Sequence, residues 1–440
     1  MRLTFVVHQY PPRFFTGTEQ YAHAVGRELQ RRGHDVDVFT LQPDFAEASG
    51  PWRESREVVD GLPVRRINHW MWLGADWTSL EYRHARMAEV FRGHLRERRT
   101  ELVHSFHLRH VGADLLDVAR THGAAVCVSL TDFWFLCPRV ILMRGDGAAC
   151  SGPPATPLGC VPCAHPELHQ EVEQSLAKDE VLAVAQSRRG APPPPAPALA
   201  ARLASALDRP RYLRERLLAA DAIIAPTRFL QQVFVQNGVP AARITCSGYG
   251  IDTAGLAPAP PAPRPLTFGF FGTFGPHKAP HLLVLAMAKV RGDCRAVLRG
   301  RQSDFPDYSR ELVAAAASDP RVRIEPPFDR QGLAAALASI DVLVVPSTWH
   351  ENAPFVVLEA RAAGLPVLAS RFGGLVEVVD DGVDGELFPP GDSDSLAERL
   401  QRCLDEPARL ARYRSAVRPP KTLAVAVDDF EGIYRGARDR

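Results

Sequence analysis

Short apolar runs alternate with longer amphipathic stretches along this chain, and that rhythm restricts it to parallel α/β units. Leu3–Val7 reads as a strand, Thr18–Arg32 as a helix ended by Gly33, and Val36–Leu41 as the next strand. Leu102–His104, a helix near Val111–His122 and the run Ala125–Leu130 repeat the unit. Ala222–Ala225, a helix from Thr227 to Asn237 closed by Gly238, and Ile244–Cys246 repeat it again.

A proline-rich stretch at 258–265 then interrupts both helix and strand, and the rhythm restarts beyond it. Leu266–Phe271, Ala296–Leu298, Val322–Ile324, Val342–Val345 and Pro366–Ala369 read as strands. Pro280–Val290 and Pro354–Ala363 read as helices, the second with proline in its first turn. At 440 residues the chain exceeds what one core supports. Two domains are therefore expected, over 1–257 and 266–422, with 258–265 as linker. The last helical stretch, within 423–440, follows all the strands and is expected to return to the first domain. Residues 137–215 break the pattern with a Cys/Gly/Pro-rich loop and the low-complexity run Ala191–Ala201; they read as a partly mobile insertion.

Lysine plus arginine (52) and aspartate plus glutamate (51) nearly cancel, so charge gives no reason to expect a nucleic-acid partner. The first apolar run is too short for a signal-peptide core. No uncharged apolar stretch reaches the roughly 18–20 residues that span a bilayer. A cytoplasmic protein is expected, with contact at the inner face of a membrane left open.

The chemistry-bearing residues gather in the second half. Gly272-Thr273-Phe274-Gly275-Pro276-His277-Lys278 follows a strand and precedes a helix, so its backbone can approach a phosphate and Lys278 can add a compact positive charge. It is neither a Walker A loop nor a dinucleotide fingerprint. In His350-Glu351-Asn352-Ala353-Pro354-Phe355-Val356-Val357-Leu358-Glu359, two glutamates stand eight apart around a helix start. Glu359 lies in an apolar helix, where an unpaired carboxylate is costly, so it needs a partner: a ribose diol or an internal salt bridge. Gly373-Gly374 with Glu377, and Asp381-Gly382-Val383-Asp384-Gly385, are turn signals at the carboxyl ends of strands, where open α/β sheets bind ligands.

On these motifs the chain resembles the retaining glycosyltransferases of family 4. The resemblance is strongest from Phe271 to Asp392 and extends to Gly17-Thr18-Glu19, Arg32-Gly33-His34-Asp35-Val36 and Gly250-Ile251-Asp252. It implies the GT-B fold: α/β, two Rossmann-like domains facing a central cleft. It implies that Lys278 binds the donor diphosphate, Glu351 faces the donor sugar and Glu359 holds the ribose. Backbone near Ala353, Pro354 and Phe355, with Gly272 and Thr273, completes the donor site, and the loop around Gly17 closes over the diphosphate. A UDP- or GDP-sugar donor, a glycan or lipid-linked acceptor and a metal-independent reaction follow from the resemblance.

Two departures stand out. Thr273 occupies a position where the family often has arginine, unless Arg301 substitutes. Thr131-Asp132-Phe133-Trp134 lacks the histidine that often precedes the aspartate. The usual acceptor-side histidine is then absent; Asp132 is kept as a candidate catalytic residue, and His107 is either the stand-in for that histidine or a structural histidine at a strand end. Other GT-B enzymes, such as a sugar-nucleotide epimerase or a phosphorylase, and a non-catalytic nucleotide-sugar-binding protein remain as alternatives.

Two further features stand apart. Cys137, Cys150, Cys160 and Cys163 fall in one loop, the last two as C-x2-C, which suits a structural zinc or free, redox-active thiols. A helix around Leu80–Arg99 carries Arg83, Arg86, Arg92, Arg96, Arg98 and Arg99 beside an apolar stripe. It reads either as a solvated face or as a contact with anionic lipid.

Overall fold

The computed structural model describes residues 1–44, 52–70, 77–175, 178–187, 199–258 and 265–440. The chain divides into two compact units. The first comprises Met1–Pro226, Leu230–Gly248 and Leu423–Arg440; the second comprises Thr227–Phe229 and Tyr249–Thr422.

The first unit is built on eight strands: β1 (Arg2–Val7), β2 (Asp35–Asp44), β3 (Trp52–Val59), β4 (Leu62–Trp70), β5 (Leu102–Ser105), β6 (Ala125–Ser129), β7 (Ala222–Ala225) and β8 (Ile244–Cys246). Their order in the sheet is β3-β4-β2-β1-β5-β6-β7-β8. Neighbours are parallel except β3 and β4, which form an antiparallel hairpin. Five of the six residues of β1 are buried, as expected of a strand covered on both faces. The chain runs outward from β1 to β2 and then resumes on the other side with β5, so a topological switch point lies between β1 and β5.

The second unit carries six strands: β9 (Leu266–Phe271), β10 (Cys294–Arg299), β11 (Val322–Glu325), β12 (Val342–Val345), β13 (Val367–Ser370) and β14 (Gly385–Phe388). The order is β11-β10-β9-β12-β13-β14, all parallel, with the switch point between β9 and β12. Both faces are buried. Val342 and Val344 enter one apolar cluster, whereas Leu343 and Val345 enter the other, which is the period-2 alternation of a strand between two helical layers.

The C-terminal helix Leu423–Arg438 packs in the first unit, on the helix Gly17–Arg31 and on β6. Val427, Phe430 and Tyr434 are its buried face. Arg32 pairs with Asp428 and Glu431 at 2.6 and 3.1 Å, and the Tyr434 hydroxyl meets His104 Nδ1 at 2.7 Å.

Several elements differ from the sequence reading. The first unit ends at Gly248 rather than 257, because the following segment packs on the second unit: Tyr249 stacks on Phe355 and the Ile251 N–H donates to the Lys421 carbonyl. Of the expected linker, 259–264 lies outside the described residues. The expected helix Leu80–Arg99 is two helices, Trp77–Leu80 and Ala85–Arg98, and the second is capped by His84, whose Nδ1 accepts from the Met87 N–H. The insertion is helical through Pro166–Gln174, Lys178–Ser187 and Leu199–Ala219. It holds its own apolar cluster of Val161, Leu168, Val172, Leu203 and Leu207. Residues 191–198 of its low-complexity run lie outside the described residues.

Candidate functional site

In each unit the polar side chains that need explaining follow the carboxyl ends of strands at and beside the switch point. In the second unit these are the loop after β9 and the loop after β12. Gly272–Lys278 leaves β9, the Gly272 N–H donates to the Arg299 carbonyl and the Phe274 N–H to the Arg301 carbonyl. Gly300 makes this approach possible, since a Cβ there would overlap the Gly272 carbonyl and the Phe274 ring. Thr273 sits between these anchors, and the Arg301 guanidinium pairs with Asp304 at 3.3 Å.

Lys278 and Glu351, 73 residues apart, meet at 2.6 Å. Glu351 is 4% exposed and takes a second hydrogen bond from the Ser347 hydroxyl at 2.7 Å. Burial pushes its carboxyl up, but the Lys278 charge and the hydrogen bonds outweigh that and hold it below the ordinary carboxylate range. The Lys278 ammonium also lies 4.8 Å from the centre of the Trp349 ring, which His277 meets edge-on. Lys278 therefore has a fixed cradle and keeps a quarter of its side chain exposed.

Gly373 and Gly374 support that cradle from behind. The Gly374 N–H donates to the Glu351 carbonyl at 2.6 Å, and a Cβ on Gly374 would overlap the Asn352 carbonyl. The helix Phe355–Ala362 then opens directly after the loop, which puts Ala353, Pro354 and Phe355 at its amino end. One turn in, Glu359 pairs with Arg330 at 2.8 Å, and Arg330 is itself tied to the Asp252 carbonyl. Burial raises the Glu359 carboxyl despite Arg330.

In the first unit the corresponding loops follow β1, β5 and β6. His107 Nε2 lies 2.7 Å from Asp132, while its Nδ1 accepts from the Arg109 N–H, so Nε2 carries the proton toward the carboxylate. His8, immediately after β1, packs on the His107 ring with centroids 4.1 Å apart. Its Nε2 stands 3.5 Å from Glu19, and burial together with His107, Arg109 and His110 holds it neutral. Its Nδ1 is buried without a hydrogen bond among the described residues. Glu19 is fully buried and accepts from the Thr16 N–H and hydroxyl, a capping box that starts the helix at Gly17.

Sequence reasoning missed His8, Glu19, Ser347, Trp349 and Arg330. Thr16 and Glu19, spaced as a capping box, were a readable signal. Arg330 gave none, because its partner is 29 residues away.

The four cysteines of the insertion are free thiols. Cys150 and Cys163 turn their sulfurs to the Gly152 and Met143 carbonyls, at 3.4 and 3.9 Å. Among the described residues no three His, Cys, Asp or Glu side chains are grouped to hold a metal ion, which differs from the four-thiolate sphere expected of a zinc site. Among them, too, no helix is long and apolar enough to cross a membrane.

Two parallel α/β units of this kind define the GT-B class of fold. The chain matches the solved structure of a sucrose-phosphate synthase from Thermosynechococcus elongatus with a TM-score of 0.66 at 20% identity, covering 98% of both chains. It matches Anabaena HepE in complex with UDP and glucose with a TM-score of 0.65 at 18% identity, again covering 98% of both. Residues 16–250 match the family described as glycosyl transferase 4-like domain, and residues 265–406 match glycosyl transferases group 1.

The chain belongs to this family of glycosyltransferases. Among its relatives are the D-inositol 3-phosphate glycosyltransferases of Kineococcus radiotolerans, 34% identical over 222 residues, and Mycolicibacterium smegmatis, 31% over 233. These matches cover 43% and 50% of this chain. The chain spans about half the length of these relatives, 51% and 53%.

Proposed function

We propose that this protein transfers a sugar from a nucleoside diphosphate sugar to a hydroxyl acceptor with retention of anomeric configuration. The observation that carries the reading is the Lys278–Glu351 pair at the switch point of the second sheet, beside a helix amino end. A leaving diphosphate needs positive potential in a fixed place, and Lys278 with the backbone N–H groups of Ala353 and Phe355 supplies it without a metal. As the diphosphate draws Lys278 toward itself, Glu351 is released to accept hydroxyls of the donor sugar. Glu359, set by Arg330, takes the ribose diol.

On the acceptor side the His107–Asp132 pair positions the incoming hydroxyl. No carboxylate here is assigned as a covalent nucleophile, so attack and departure share one face of the sugar. A UDP- or GDP-sugar is the proposed donor, consistent with HepE having been solved with UDP and glucose. A glycan or lipid-linked precursor at the inner face of the cytoplasmic membrane is the proposed acceptor.

Product stereochemistry tests this. The donor is chosen by thermal shift among UDP-, GDP-, ADP- and dTDP-sugars, and the anomeric proton coupling of the product is then read by NMR. The donor's own configuration is expected in the product. An inverted product overturns retention, and the absence of a shift with every donor overturns the donor assignment.

A further inference from the structure

At the opposite ends of the same strands, the first unit holds a cavity of about 840 Å³. It opens where β1, β5 and β6 begin, whereas His8, His107 and Asp132 stand where those strands finish. The six residues of β1 alone separate the two places by about 20 Å.

The lining is unusually cationic. Arg2, Arg96, Arg99, Arg120, Arg438 and Arg440 face Glu101 and Asp221, a surplus of four positive charges. Three helices, Ala85–Arg98, Asp114–His122 and Leu423–Arg438, also end here, and each carboxyl end contributes about half a negative charge. That accounts for roughly 1.5 of the surplus and leaves more than two charges unanswered.

The two carboxylates are already committed. Glu101 is held by Arg438 at 3.1 Å and by the Arg2 backbone N–H at 2.8 Å; those contacts keep it below the ordinary carboxylate range. Asp221 accepts from the Val126 N–H. Arg96, Arg99 and Arg120 make no ion pair with a carboxylate among the described residues, although Arg83, Arg86 and Arg98 of the same basic segment are engaged with Asp208, the Trp52 ring and Asp35.

We propose that this cavity binds a phosphate group, with Arg96, Arg99 and Arg120 as the guanidiniums that receive it, at a site separate from the donor and acceptor residues. A phosphate group brings the negative charge the lining lacks, and its unesterified oxygens suit planar forked donors. The phosphate belongs either to a soluble phosphate ester or to an anionic lipid headgroup.

The full chain is titrated calorimetrically with inorganic phosphate at fixed ionic strength. Separately it is floated with vesicles of phosphatidylglycerol and of phosphatidylcholine. The same is done for Arg96→Gln/Arg120→Gln and, as a second variant should that one melt early, for Arg99→Gln alone. Binding is expected in at least one arm, weakened about tenfold for each arginine removed, in a variant that melts like the parent. Binding of phosphate in solution assigns a soluble ester; retention only by phosphatidylglycerol vesicles assigns a headgroup. A parent that binds in neither arm, or variants that bind as the parent does, overturns the proposal.

Discussion

At the scale of single residues, the site depends on a buried carboxylate that one lysine neutralises. Glu351 is 5% exposed in its side chain and Lys278 25%, so the pair is only lightly screened by solvent. Removing Lys278 strands Glu351 without a counter-charge, with neutral hydrogen-bond partners such as Ser347 alone. Lys278→Ala is therefore expected to lose about 3 kcal/mol of stability and at least about a hundredfold in kcat/KM. Lys278→Ala/Glu351→Gln is expected to recover most of the stability and none of the turnover, read by thermal melts and donor-consumption rates. Recovery of both would mean that the pair is structural and Lys278 has no part in catalysis. His107 shows how little of such a role a sequence reveals. Its spacing from Asp132 left a structural histidine equally open, and only the Arg109 N–H on Nδ1 fixes which nitrogen faces the carboxylate.

Secondary-structure elements add a second control, at the junction of β5 with the C-terminal helix. His104 is fully buried between Tyr434 and Ser129, at 2.7 and 2.8 Å, and burial pushes its pKa down to about 3. In the unfolded chain it titrates near 6.5, so the unfolded state binds more protons than the native state between those values. Stability is thus present above about pH 6.5 and is lost as pH falls toward about 3, by about 5 kcal/mol in total. His104→Phe is expected to flatten this acid limb in denaturant melts taken from pH 7 to 4. An unchanged limb would assign the acid sensitivity to other groups.

The elements also explain what the sequence concealed. Strands of the second unit were readable because every second residue enters the same cluster. The hairpin β3–β4 was overlooked although Asp60-Gly61, both at positive φ, is a strong two-residue turn signal. β14 was hidden because its residues Gly385–Phe388 are embedded in a run that reads as turns, and Gly385 is required there since a Cβ would overlap the Val367 carbonyl. The insertion looked irregular because its proline run masks helices that pack on one another and, through Leu199–Ala219, on Trp77–Leu80 and Asp114–His122.

For the whole molecule, the organising fact is that two sheets of different size each gather their functional side chains at a switch point. Loops after β9 and β12 bring Lys278 to Glu351, and loops after β1 and β5 bring His8 to His107. In the second unit Lys278 and Glu351 could be singled out because each lies in a short motif at a strand end, Gly272–Lys278 and His350–Glu359, although their meeting could not. The first-unit half was not, because its histidines and carboxylates come from four separate segments and meet only through the sheet.

The second unit is proposed to bind a nucleoside diphosphate through Lys278 and Glu359. Calorimetric titration of UDP and of uridine, with GDP and guanosine alongside, into the parent, Lys278→Ala and Glu359→Ala tests it most directly. One of the two diphosphates is expected to bind. Lys278→Ala should weaken that diphosphate at least about tenfold while sparing the nucleoside, and Glu359→Ala should weaken both. Equal affinity of all three proteins for the diphosphate would contradict the assignment of the site.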